Sequence, residues 1–141
     1  MLTAVLITLI LVICSVSDVK SREIGILMPP AVAVIALIHS AQLGRLKESL
    51  ITSFAVFSLL MLISLISKQA LGLGDVAILS ACSVYVKSAS VILMISSAMV
   101  IASVITIGII TVDKLLKKRS AKQISIPFVP YITAGFLLTL V

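Results

Sequence analysis

Apolar residues run in long blocks along the chain, at about Leu2 to Ser17, Ile24 to Leu43, Leu50 to Ser67, Leu71 to Val86, Ala89 to Val112 and Ile124 to Val141. Short gaps carrying charge or glycine separate them. Blocks this long and this uniformly apolar predict helices rather than strands, and helices buried on every side. A helix that crosses a bilayer needs roughly 17 to 25 apolar residues. The second, third, fifth and sixth blocks meet this and the first is marginal. The fourth is short, because it opens on Gly72, Gly74 and Asp75 and is cut by Lys87. The pattern therefore predicts an all-α fold: a polytopic bundle of six transmembrane helices. No linker, repeat or low-complexity tract interrupts it, so residues 1–141 are expected to form one unit.

Composition sharpens this picture. Of 141 residues, 61% are hydrophobic and 11% charged, where a soluble domain is roughly half apolar and a quarter charged. So few charges cannot coat a soluble surface, and the expected surroundings are a lipid bilayer. The net charge of +6 does not indicate a nucleic-acid partner, since the basic residues fall in the gaps between apolar runs rather than on one polar face. They bear instead on topology. Loops after helices one, three and five hold Lys20, Arg22, Lys68, Lys114, Lys117, Lys118, Arg119 and Lys122, whereas loops after helices two and four hold Arg45, Lys47 and Lys87. A split of eight to three predicts that the odd loops are cytoplasmic and both termini outside. The expected location is the cell (inner, cytoplasmic) membrane, multi-pass. The first block is expected to be retained rather than removed as a signal peptide, because Met1-Leu2-Thr3 carries no basic residue.

Scarcity of charge also isolates the candidate chemistry. Of five acidic residues, Glu23, Glu48 and Asp113 each have a basic neighbour and read as loop charges. Asp18 closes the first apolar run, and Asp75 lies in Leu71-Gly72-Leu73-Gly74-Asp75-Val76 with no basic residue within six positions. An ionisable group at the edge of a hydrocarbon slab is costly, so a functional role is the default reading. Two crossings separate Asp18 from Asp75, so both are expected on the same side, the cytoplasmic one by the charge count. Two carboxylates brought together at low dielectric share one proton. Such a pair can activate water and protonate a peptide carbonyl oxygen, the chemistry of an aspartic protease, which requires no metal or other cofactor. The same residues read equally well as a buried polar pair that fixes helix register; the alternative function is a small non-enzymatic transporter or ion pathway subunit in which they bind a proton or cation. Gly72 and Gly74 leave room for an extended substrate backbone beside Asp75.

Gly72-Leu73-Gly74-Asp75 matches the Gly-x-Gly-Asp signature of intramembrane aspartyl proteases, and the chain resembles the type IV prepilin peptidase family. Asp18-Val19-Lys20-Ser21-Arg22-Glu23-Ile24 is similar to the family's first catalytic stretch and Gly72 to Leu79 to the second. Ile126-Pro127-Phe128-Val129-Pro130-Tyr131, with Ala134-Gly135, is similar to the opening of its last helix. The resemblance implies that Asp18 and Asp75 are the catalytic dyad, and that the protein cleaves the basic leader of prepilin-like substrates (pilins, tight-adherence pilins or archaellins) at the cytoplasmic face. The chain departs from the family pattern at Gly25, where Pro is common, at Ala77, where Lys is common, and at Val129, where Gly is common. Longer members carry paired Cys-x-x-Cys zinc motifs. Here Cys14 and Cys82 stand singly in apolar helices, with no zinc-ligand spacing, and read as small core residues. His39 falls at the far end of helix two, away from the dyad. Pro29-Pro30 shapes the start of helix two. Pro127 and Pro130 shape the start of helix six, either to receive an extended substrate or simply as a turn into the helix. The small residues Ser96, Ser97, Ala98, Ala102, Ser103 and Gly108 of helix five read as a packing surface.

Overall fold

The computed structural model describes residues 2–21, 25, 27–67, 72–115 and 127–140. The loop positions Arg22, Glu23, Lys68, Lys117, Lys118, Arg119 and Lys122, and the side chains of Asp113 and Lys114, lie outside the described residues. Six helices follow one another: α1 (Leu2–Ser21), α2 (Met28–Gln42), α3 (Leu46–Ile66), α4 (Leu73–Tyr85), α5 (Ser88–Leu115) and α6 (Val129–Leu138). Among the described residues there is no strand.

Lengths differ from the apolar blocks in an informative way. The first block, marginal by count, is a helix of 20 residues, because the helix continues through Asp18 and Lys20 after the apolar run has ended. The second block shrinks to 15 residues, about 22 Å at 1.5 Å per residue. Pro29 and Pro30 set its start at Met28, since proline is tolerated only in a first turn, where its missing N–H has no intrahelical acceptor to lose. The sixth, expected to be of spanning length, is described as a helix of 10 residues. The fourth is short as expected, at 13 residues, bounded by extended backbone at Gly72 and Val86. Three helices, α1, α3 and α5, are long and apolar enough to cross a membrane.

Short and long helices divide the work of packing. Of the residues on α4, Val76 and the whole stretch from Ile78 to Val84 are buried, so this helix is enclosed on all sides, flanked by α2 and α3. On the other side α6 lies between α1 and α5. One core joins the two groups, with Ile7, Leu11, Val32, Leu60, Leu79 and Phe136 within it. Where lipid surrounds the helices, apolar burial alone does not bring them together, and small or hydroxyl side chains take that part. Ser40 Oγ donates to Val84 O at 2.7 Å and Ser53 Oγ to Ser80 O at 2.8 Å. A Cβ added at Gly135 would stand 2.6 Å from Met94 O and 3.1 Å from Ala98 Cβ and Ser97 Oγ. The packing surface expected on α5 is therefore real at Ser97 and Ala98. It does not extend to Ser96 and Ser103, which are exposed, or to Gly108, beside which a Cβ would meet nothing within 4 Å.

The outward face is as apolar as the core. Ile51 is 71% exposed, Phe54 73% and Ile92 75%. In water such a surface is an association hazard; in lipid it is the normal exterior. The protein is a membrane protein.

Candidate active site

Helix ends decide which residues can meet. The C-terminal turn of α1 lies against the start of α6: the backbone N–H of Val129 donates to Asp18 Oδ2 at 3.1 Å. One turn along, Ser15 Oγ and Thr133 Oγ1 are 2.9 Å apart, and Ser15 also donates to Leu11 O at 2.8 Å while Thr133 donates to Val129 O at 3.0 Å. These hydroxyls lock α1 to α6 in antiparallel register. Asp18 is 7% exposed, so its carboxyl is withdrawn from solvent and answered by a donor from another helix. That donor has no intrahelical acceptor, being the first N–H of α6. A helix N-terminus, with its outward-pointing N–H groups, suits a carboxylate electrostatically.

Asp75 is held by related means. It is the third residue of α4, and its carboxyl meets the backbone N–H of Gly72, the residue that precedes the helix. This is half of a capping box, in which the third helical residue reaches back to the cap. Gly72 has φ −63° and ψ 141°, values open to any residue, so its backbone does not require glycine. Space does: a Cβ there would stand 3.2 Å from Asp75 Oδ2. Asp18 and Asp75, 57 positions apart in sequence, stand at the same end of the bundle on different helices. Each carboxyl is thus anchored by a backbone N–H at the start of a helix.

Gly74 is the second residue of α4. Pro127 directly precedes Phe128, and Pro130 is the second residue of α6; both therefore lie beside Val129, at the Asp18 end. Val129 departs from the family pattern, yet its contribution is a backbone N–H that any residue except proline supplies. Ser15, Thr133 and the Val129 N–H were not among the residues singled out from sequence. A hydroxyl three residues before Asp18, and another four residues after Val129, were the available signals. His39 lies at the opposite end, its ring 4.6 Å from that of Tyr85. Cys14 and Cys82 are free thiols in the core.

A family model for the type IV leader peptidase family matches residues 5–107, well over half of the chain. The chain belongs to the type IV leader peptidase family. The range matched holds both Asp18 and Asp75 and ends before Pro127. No curated protein and no solved structure matches the chain. Membership makes this leader peptidase a protease, a hydrolase of peptide bonds, whose family acts on prepilin-type leaders.

Proposed function

We propose that this leader peptidase is an aspartic endopeptidase that cuts the basic leader from prepilin-like precursors at the cytoplasmic face, with Asp18 and Asp75 as its catalytic pair. The observation that supports the reading is that two carboxyls from different helices stand at the same end of the bundle, each anchored by a backbone N–H. The ionised partner takes a proton from water as the oxygen of that water bonds to the scissile carbonyl carbon. The protonated partner gives its proton to the carbonyl oxygen, and a neutral gem-diol forms. On collapse the proton gained from water passes to the amide nitrogen, the C–N bond breaks, and a gem-diol hydroxyl returns a proton to the second carboxylate. The pair ends as it began, with no covalent intermediate.

A place for the apolar segment that follows such a leader supports this reading. A cavity of about 370 Å³ lies between Phe128 and the α5 residues Met99, Ala102, Ser103, Thr106 and Ile107. Phe128 is the neighbour of Val129, which touches Asp18. We read the six helices as six crossings with both termini outside, the short α2, α4 and α6 being shielded by α1, α3 and α5, and residues 1–141 as one catalytic unit in the cytoplasmic membrane.

Co-expression with a precursor bearing a basic leader and about 20 apolar residues tests the proposal. The wild-type chain is expected to shorten the precursor, and Asp18→Asn and Asp75→Asn to leave it whole. An uncut precursor with the wild type, or normal cutting by either variant, sinks the idea. Ion flux in proteoliposomes, abolished by the same substitutions and without proteolysis, would point instead to a transporter.

A further inference from the structure

The end of the bundle away from the carboxyls holds a second polar cavity, of about 320 Å³, whose wall includes His39, Arg45, Tyr85, Lys87, Ser90 and Thr139. Two cationic side chains, Arg45 and Lys87, line it, and among the described residues no carboxylate does. Among the described residues Glu48 is the acidic side chain at this end, and it accepts a hydrogen bond from Ser88 instead. His39 Nδ1 is buried without a hydrogen-bond partner, so polar capacity here is not used up within the protein.

Both cations are placed by local structure. Gly44, at φ +67°, ends α2 in the left-handed conformation; its N–H donates to Ala41 O at 3.1 Å and that of Arg45 to Ser40 O at 3.0 Å. This paired pattern is the Schellman motif. Lys87 precedes α5, its carbonyl accepting from the N–H groups of Ser90 at 2.8 Å and Val91 at 3.2 Å. Two cations on the wall of one cavity repel each other, and an anion bound between them relieves this.

A long apolar cleft adjoins the polar cavity and identifies the anion's chemistry. About 630 Å³ in volume, it runs along α1 and α6 past Val5, Leu9, Val12 and Leu137, and shares Tyr85 and Leu140 with the polar cavity. A basic, hydroxyl-lined recess opening into an apolar trough at the end of a membrane bundle matches a molecule with a phosphate at one end and a hydrocarbon chain at the other. We propose that this is a binding site for one anionic phospholipid, its phosphate between Arg45 and Lys87 and an acyl chain in the cleft between α1 and α6. By joining α1, α2, α4 and α6 at the end remote from the carboxyls, the lipid would stabilise the bundle without touching the catalytic pair. The proposal does not depend on the roles of Asp18 and Asp75.

The full chain in detergent is titrated with phosphatidylglycerol, phosphatidylcholine and inorganic phosphate, with bound lipid read by native mass spectrometry and stability by thermal unfolding. Phosphatidylglycerol is expected to bind about tenfold more tightly than phosphatidylcholine, and to raise the unfolding temperature. Arg45→Gln and Lys87→Gln should each weaken it about fivefold, while Lys47→Gln, an exposed cation outside the cavity, leaves it unchanged. Leu9→Trp, which fills the cleft, should weaken phosphatidylglycerol binding but not phosphate binding. Lys87 is exposed, so its variant keeps the test decisive if Arg45→Gln fails to fold. Equal binding of the two lipids overturns the site, as does an equal loss with Lys47→Gln, which would mean diffuse surface charge. Phosphate binding as tightly as phosphatidylglycerol, or no effect of Leu9→Trp, overturns the lipid assignment.

Discussion

At the scale of single residues, two carboxyls and two backbone N–H groups account for the candidate site. In the proposed mechanism Asp18 and Asp75 share one proton, and groups acting as a unit do not contribute additively. Asp18→Asn and Asp75→Asn are each expected to lower the cleavage rate by on the order of 10³-fold, and the double variant to be no slower. Two modest losses that multiply, measured by precursor processing in vesicles, would contradict a shared-proton pair. Gly72 offers a milder probe. Its conformation admits alanine, but the new methyl group would press on Asp75 Oδ2 at 3.2 Å. Gly72→Ala should therefore cut activity by about 10²-fold, as a misplaced catalytic group does, while thermal stability stays near that of the wild type. A large drop in stability with intact specific activity would show that the glycine serves packing instead.

Among the elements, the α5–α6 contact sets how closely the site's third helix can approach. Gly135 admits Met94 O to a distance that a Cβ would reduce to 2.6 Å, and a backbone atom cannot swing aside as a side chain does. Gly135→Ala is expected to cost about 1–3 kcal/mol, the usual penalty for overpacking, seen as a lower unfolding temperature in detergent. Because α6 carries the N–H that meets Asp18, activity should fall with it. Gly108→Ala, in a helix position open to space, is the matched control and should be neutral or slightly stabilising. Two glycines of the same apolar bundle thus differ in what surrounds them, a difference that neither composition nor spacing records.

For the whole molecule, topology and function meet in the parity of the helices. A reporter fused near Lys118 is expected to read as cytoplasmic and one fused after Val141 as external; the reverse result would put the carboxyl pair on the wrong face for a leader peptidase. Much of this architecture was legible in the chain itself. Six apolar blocks became six helices because each is long enough to satisfy its backbone internally, and the scarcity of charge left Asp18 and Asp75 without local partners. Helix lengths were less legible: Pro29 and Pro30 trim α2, and helical backbone carries α1 past its apolar limit to Ser21. By itself, then, the sequence determined the all-helical membrane class and the two outlying carboxyls, and through two expected crossings between them it predicts a common side. Only the tertiary structure decided that Val129 supplies the donor to Asp18 and that Ser15 and Thr133 lock the register behind it. It likewise brought Arg45 and Lys87 to one cavity beside an apolar cleft. The physical reason is that one-dimensional patterning records how each segment meets lipid, whereas contacts between segments distant in the chain depend on which helices pack together and at what depth.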